Sequence, residues 1–312
     1  MAARRTLRIG TRGSPLAMAQ THEVRFRLIE AHPELAETDA LDVVVIKTTG
    51  DAVRDRPLAD VGGKGLFTKE IDESMLSGRI DLAVHSVKDV PTWLPDGIVM
   101  ACYLRREDPR EAFISGKVGS LGELPRGAKV GTSSLRRQAQ ILHRRPDLRV
   151  VPFRGNVETR IRKLDDGQAD ATLLALAGLR RLGLADAATA VIEPGELLPA
   201  VGQGAIGITC RRDDARAVAV LAALDDAESH ARVTAERAML EALDGSCRTP
   251  IAGLAEYDQG RLGLSGLIAR PDGSALYRTR REGPAGEAEA LGRRAAEDLL
   301  EQAGPGFIGS LG

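Results

Sequence analysis

The stretch Asp81-Leu82-Ala83-Val84-His85-Ser86-Val87-Lys88-Asp89-Val90-Pro91 decides the fold. Asp81 to His85 reads as an apolar strand that empties into the polar run Ser86-Val87-Lys88-Asp89. Working back from it, Phe67 to Leu76 carries helical spacing and Gly62-Gly63-Lys64-Gly65 is a flexible loop. Leu41 to Lys47 is another strand, and Leu7 to Thr11 a third, followed by Ser14 at an N-cap position and a helix from Leu16 to Ala31. Strand and helix alternate, so the segment predicts an open α/β sheet.

Working forward, the rhythm restarts after Asp108-Pro109-Arg110. Lys129 to Gly131 is a strand, Ser134 to Arg145 a helix stopped by Pro146, and Leu148 to Arg154 a strand. A helix near Val157 to Leu164 and a strand near Ala171 to Leu176 complete a second α/β unit. Leu198 to Gly204 interrupts it, and Ala205 to Cys210 is a strand able to return to the first sheet, a double crossing that would make a hinge. Beyond Asp225 come a helix, Ser229 to Leu243, a Gly/Ser/Cys loop, strand-like segments at Ile251 to Glu256 and Arg261 to Ala269, and a closing helix, Ala285 to Gln302. The expected class is α/β, with two doubly wound domains that resemble the lobes of periplasmic binding proteins and a small α+β third domain. Their expected bounds are residues 1–104 with 204–222, 105–203, and 223–312.

At 312 residues and 43% hydrophobic, the chain is long enough for more than one core. A formal net charge of -1 argues against nucleic-acid or membrane binding through overall charge. No stretch approaches a membrane span and the first residues lack the apolar core of a signal peptide, so the expectation is a cytoplasmic protein. Cys102, Cys210 and Cys247 are odd in number and widely spaced, which supports neither a disulfide framework nor a metal site.

Charge is uneven along the chain. Between Arg126 and Lys163, eleven Lys or Arg residues stand against Asp147 and Glu158 alone, an excess of nine. Arg136 and Arg137 fall in the first turns of a helix opened by Gly131-Thr132-Ser133-Ser134, where free N–H groups already favour an anion. Arg154 and Arg160 bracket Gly155-Asn156 at the end of the next strand, and open α/β sheets bind ligands beyond their carboxyl edges. Guanidinium forks suit carboxylates and phosphates alike. A solvated helix face accounts for any one of these arginines but poorly for the set. Nucleic acid is disfavoured because Phe153 is the one aromatic within the basic run. Gly62 to Lys69 is not a P-loop and Gly10-Thr11-Arg12-Gly13 lacks the dinucleotide spacing, so no nucleotide is expected.

Three single residues carry possible chemistry. Asp89, just past a strand, can project a carboxylate into a crevice, although a loop aspartate taken alone is most often a turn-former or salt-bridge partner. His85, within an apolar strand, reads as structural and held by a backbone hydrogen bond. Cys247 lies beside Arg248, a cation that favours its thiolate.

Over nearly its whole length the chain resembles the porphobilinogen deaminase family. The most specific segments are His85-Ser-Val-Lys-Asp-Val-Pro91, Gly131-Thr-Ser-Ser-Leu-Arg-Arg-Gln138, Arg154-Gly-Asn-Val-Glu-Thr-Arg160 and Leu198-Pro-Ala-Val-Gly-Gln-Gly204. The resemblance implies that four porphobilinogen molecules lose ammonia and join head to tail, and that a linear hydroxymethylbilane is released. It implies a dipyrromethane cofactor held covalently through Cys247, with Asp89 as the catalytic acid. Ser86, Lys88, Thr132, Ser134, Arg136 and Arg137 would hold the cofactor's carboxylates. Arg12, Gln20, Arg154, Arg160 and Gln203 would hold the incoming ring or growing chain. Lys64 and Phe67 would belong to a mobile loop over the site. The family further suggests a monomer with no metal. The sequence departs from the family pattern at Ser246 and Arg248 around the cysteine and at Asp60.

Two other classes compete. A solute-binding module would close on an anion and need neither Asp89 nor Cys247. An RNA-binding protein would use the basic segment and show strongly salt-dependent binding.

Overall fold

The computed structural model describes residues 6–52, 65–243 and 249–311. Its first elements are β1 (Leu7–Arg12), α1 (Pro15–Ala31), β2 (Leu41–Ile46), α2 (Thr49–Ala52), α3 (Lys69–Leu76), β3 (Leu82–Ser86) and β4 (Ile98–Tyr103). Next come β5 (Glu111–Ile114), β6 (Lys129–Gly131), α4 (Leu135–Arg144), β7 (Arg149–Val151), α5 (Val157–Asp165), β8 (Ala171–Ala175), α6 (Leu176–Arg181) and β9 (Ala190–Ile192). The chain ends with β10 (Ile206–Arg211), α7 (Ala215–Ala222), α8 (Ala227–Ala242), β11 (Ile251–Asp258), β12 (Arg261–Ala269), β13 (Leu276–Pro284) and α9 (Ala288–Ala303). It divides into two compact units, Met1–Arg106 with Ala205–His230, and Glu107–Gly204 with Ala231–Gly312.

The first unit is built on one sheet, in the order β2-β1-β3-β10-β4. β1 runs parallel to β2 and β3, whereas β10 lies antiparallel to both β3 and β4. Alternation along β3 sorts its side chains: Leu82 and Val84 join the core with Leu7, Ile9, Val24 and Leu28, while Ala83 joins Ile46, Ile71 and Met75. Both faces are therefore covered, which is why the strand reads as one continuous apolar run. Ser14 starts α1 by accepting a hydrogen bond from the Ala17 amide at 3.3 Å, with Pro15 in the first turn. Asp81 ties three strands together, accepting from Arg8 Nε at 3.0 Å and Arg211 at 3.1 Å. Burial alone would raise its pKa, but these bonds outweigh burial and hold the carboxyl below its usual range.

The second unit contains two sheets. One has the order β7-β6-β8-β5-β9, with β6 parallel to β7 and β8 and β5 antiparallel to β8 and β9; the other is the antiparallel meander β11-β12-β13. They are cross-tied. Gln140 Nε2 donates to Leu198 O at 3.0 Å, the Gly253 amide to Pro199 O at 3.1 Å, and the buried Glu236 carboxylate accepts from the amides of Gly202 and Ala255, each at 2.7 Å.

Several elements differ from the sequence reading. The strand expected to reach Arg154 stops at Val151 because Pro152 has no N–H to give a ladder. Phe153 is thereby free to cover Gly131, where an added Cβ would fall 2.5 Å from its ring. The closing helix begins at Ala288, after a one-turn 3-10 segment at Ala285–Glu287. Strands β4, β5, β9 and β13 and helices α6 and α7 were not anticipated. β5 and β9 are too short for periodicity, and β13 (L-Y-R-T-R-R-E-G-P) hides its alternation under charge.

Candidate active site

The carboxyl ends of the parallel strands β1 and β3 lie side by side in the first unit, and a pocket of about 60 Å³ forms there. That is room for a few water molecules. Arg12 reaches it from the end of β1, Gln20 from α1, Ser86 from the end of β3, and Asp89 from the single 3-10 turn Val87–Asp89. Gln20 Nε2 donates to Ser86 Oγ at 2.8 Å, fixing the hydroxyl. The Arg12 guanidinium lies 4.1 Å from the centre of the Phe67 ring and 3.9 Å from the Asp89 carboxylate. The aspartate remains 36% exposed, so this is a loose pair, worth at most about 1 kcal/mol. Asp89 is near a cation without being locked to it. Lys88 is half-buried on the same turn.

His85 Nε2 lies 2.9 Å from Thr209 Oγ1 of β10, because the antiparallel pairing brings that strand alongside.

In the second unit, Arg136 and Arg137 occupy the first turn of α4, which Ser134 caps. They are buried rather than spread on a helix face. Glu111, fully buried on β5, receives the Arg136 side chain on one carboxylate oxygen and the Arg137 side chain on the other, each at 2.7 Å. The remaining terminal nitrogens donate to Leu198 O and Leu173 O at 2.9 Å. Burial, the largest influence, lowers the Arg136 pKa; Glu111 opposes it and the like charge of Arg137 adds to it. Two guanidinia against one carboxylate leave a buried positive charge, and Arg137 Nε is a buried donor with no partner among the described residues. Thr132 is buried, its Oγ1 accepting from the Ser134 amide at 3.2 Å. Arg154 and Arg160 flank Gly155, whose φ of 123° suits only glycine; Arg160 Nε donates to Gly155 O at 2.9 Å and Lys163 to Arg154 O at 3.1 Å. Gln203 is fully buried, donating to Pro109 O at 2.8 Å.

Glu111 escaped the sequence reading. Its signal is a charge opening the four-residue apolar strand E-A-F-I, directly after Asp108-Pro109-Arg110. Cys247, Ser246, Arg248, Lys64 and Asp60 lie outside the described residues. Cys102 and Cys210 are buried, and burial above all pushes their thiols up to about 12 and about 11, which makes them poor nucleophiles. No group of three His, Cys, Asp or Glu side chains among the described residues could hold a metal ion, and none of the described helices is long and apolar enough to cross a membrane.

Asp89 and Arg12 face one small pocket of the first unit, and a guanidinium pair is buried at a helix N-terminus of the second, in a protein of the α/β class. The family model for the porphobilinogen deaminase dipyromethane cofactor binding domain matches residues 7–219, and that for the porphobilinogen deaminase C-terminal domain matches residues 230–301. Porphobilinogen deaminase of Paracoccus denitrificans is 58% identical over 302 residues, covering 97% of this chain and 96% of its own. The chloroplastic porphobilinogen deaminase of Oryza sativa subsp. japonica is 56% identical over 308 residues, covering 98% of this chain and 86% of its own. Among solved structures, a periplasmic substrate-binding protein of an ABC transporter from Coxiella burnetii is 15% identical with a TM-score of 0.42, over 70% of this chain and 92% of its own.

The chain belongs to the porphobilinogen deaminase family. It is a transferase of tetrapyrrole biosynthesis, with hydroxymethylbilane synthase activity: four porphobilinogen molecules are deaminated and joined head to tail on a dipyrromethane cofactor, and hydroxymethylbilane is released.

Proposed function

We propose that Asp89 is the catalytic carboxylate of this reaction and that Cys247 anchors the dipyrromethane through a thioether. Loss of ammonia from porphobilinogen leaves an electron-poor carbon with cationic character, and the attacking pyrrole must later shed a proton. A carboxylate near the pyrrole N–H groups stabilises the first and receives the second. The observation that carries this reading is the setting of Asp89, partly exposed at a small pocket beside the ends of β1 and β3 and only loosely paired with Arg12.

The cofactor is made from substrate and so carries acetate and propionate groups, and it supplies the pyrrole end to which new rings are joined. The described residues fit such a group. Arg136 and Arg137 outnumber Glu111 by one charge, and the orphaned Arg137 Nε lacks an acceptor that a carboxylate supplies. Ser86, Lys88, Thr132 and Ser134 complete this set. Arg12, Gln20, Arg154, Arg160 and Gln203 hold the incoming ring or the growing chain, whose carboxylates increase by two per cycle. Phe67, under the Arg12 guanidinium, lines the pocket beside Asp89. The working parts are residues 1–104 with 204–222 for catalysis, 105–203 for carboxylate binding and 223–312 for cofactor anchoring. The protein acts in the cytoplasm as a monomer, without metal, nucleotide, nucleic acid or membrane.

The intact mass of fresh, active protein tests the cofactor assignment. It should exceed the chain mass by two pyrrole units, an excess abolished by Cys247→Ala; an unmodified mass in active protein would refute the thioether.

A further inference from the structure

A groove of about 490 Å³ in the second unit is lined by His143, Arg144, Leu276 and Arg278. It forms where the last turn of α4 meets β13. Two guanidinia enter it from different elements and converge on one acceptor, the Gly195 carbonyl, at 2.8 Å from Arg144 and 3.3 Å from Arg278. His143 stands beside them with Nδ1 2.9 Å from Gly273 O; a carbonyl only accepts, so Nδ1 carries the hydrogen.

Their neighbours are charge-matched, and they are not. Arg145, next on the chain, holds Asp147 at 2.7 Å. Arg280, two residues along the same face of β13, holds Glu256 at 3.0 Å and Glu282 at 3.5 Å. Among the described residues no carboxylate lies within ion-pair distance of Arg144 or Arg278. Their titration follows. The hydrogen bond to Glu256 leads the causes that raise the Arg280 pKa, whereas burial first, then the like charge of Arg144, lowers that of Arg278. Two cations drawn together on one neutral carbonyl break the local rule of charge matching that the surrounding arginines obey, and an oxyanion would relieve the conflict.

We propose that this groove is a binding site for a small oxyanion, the carboxylate or phosphate group of a small molecule, using residues apart from those assigned to substrate and cofactor. Arg144 and Arg278 supply paired donors, His143 a further polar edge, and Leu276 with the arginine stems an apolar wall for an organic body. Occupancy would brace the end of α4 against β13.

Calorimetric titration of the holoenzyme with citrate and, separately, with inorganic phosphate tests the site. Saturable binding is expected, weakened at least tenfold in R144Q and in R278Q, with turnover unchanged in both. Preference for citrate would identify a carboxylate ligand and preference for phosphate a phosphate ligand. If Arg144→Gln frays its helix, Arg278→Gln, on a strand, carries the test alone. Absence of saturable binding by either anion, or affinities that both variants retain, would overturn the proposal.

Discussion

Asp89 and Arg12 sit at the ends of neighbouring strands, 3.9 Å apart. Asp89→Asn keeps shape and hydrogen-bonding size while removing the negative charge, so turnover should fall nearly to zero with an unchanged far-UV spectrum; substantial residual activity would move the catalytic role elsewhere. A second aspartate behaves oppositely. Burial, the main cause, pushes Asp72 on α3 up from 3.8 to about 6 against a hydrogen bond with Thr68, and Glu73 adds to the rise. Between those two values the native state binds more protons than the unfolded chain, so stability falls as pH rises through about 6. Asp72→Asn is therefore expected to stabilise the protein at pH 8 by up to about 3 kcal/mol, with the gain vanishing below the unfolded pKa; thermal melts across that range would show it. Single residues were unevenly legible. Asp89 could be placed because it follows an unmistakable strand, whereas Glu111 could not, because its partners lie 25 and 26 positions away in sequence. The basic residues drew attention as a charge excess, yet only the fold reveals that two of them are buried on one carboxylate.

Elements were legible where both faces of a strand are buried or where a helix carries its own cap. α1 announced itself through Ser14, which accepts from the Ala17 amide, while the caps of α4 and α5, Ser134 and Asn156, each accepting from an amide three residues on, came from the fold. Short or charged strands did not, since their pairing is decided by partners elsewhere in the chain. Helix contacts were equally hidden. Gly292 on α9 lets the helix approach α8 so closely that an added Cβ would stand 2.3 Å from Ala235 O and 2.8 Å from the Ala238 Cβ. Backbone cannot yield as a flexible side chain does. Gly292→Ala, ordinarily favourable inside a helix, should here cost about 1–3 kcal/mol, read as a lower melting temperature; an unchanged or raised one would mean that the helices can separate freely.

At the scale of the molecule, the second unit joins two sheets through Glu236, whose carboxylate accepts from Gly202 and from Ala255. Replacing one acceptor oxygen by an amide NH₂ in Glu236→Gln should cost about 2–3 kcal/mol. Hydrogen exchange should then show equal loss of protection in β6 and β12; loss confined to the three-stranded sheet would mean that the two unfold separately. The alternation of strands and helices made the two five-stranded sheets readable, but the ties to the three-stranded sheet were not, because they cross sequence separations that periodicity does not report. The first unit carries a further consequence in β10, which fills the place between β3 and β4 from a position about 100 residues downstream of β4. On a ribosome adding about 5–20 residues per second, β3 and β4 wait roughly 5–20 s for their common partner. Throughout that interval the nascent chain presents two unpaired strand edges, a natural station for a chaperone. A chain broken off early in synthesis can never complete the strand edge from which Asp89 projects.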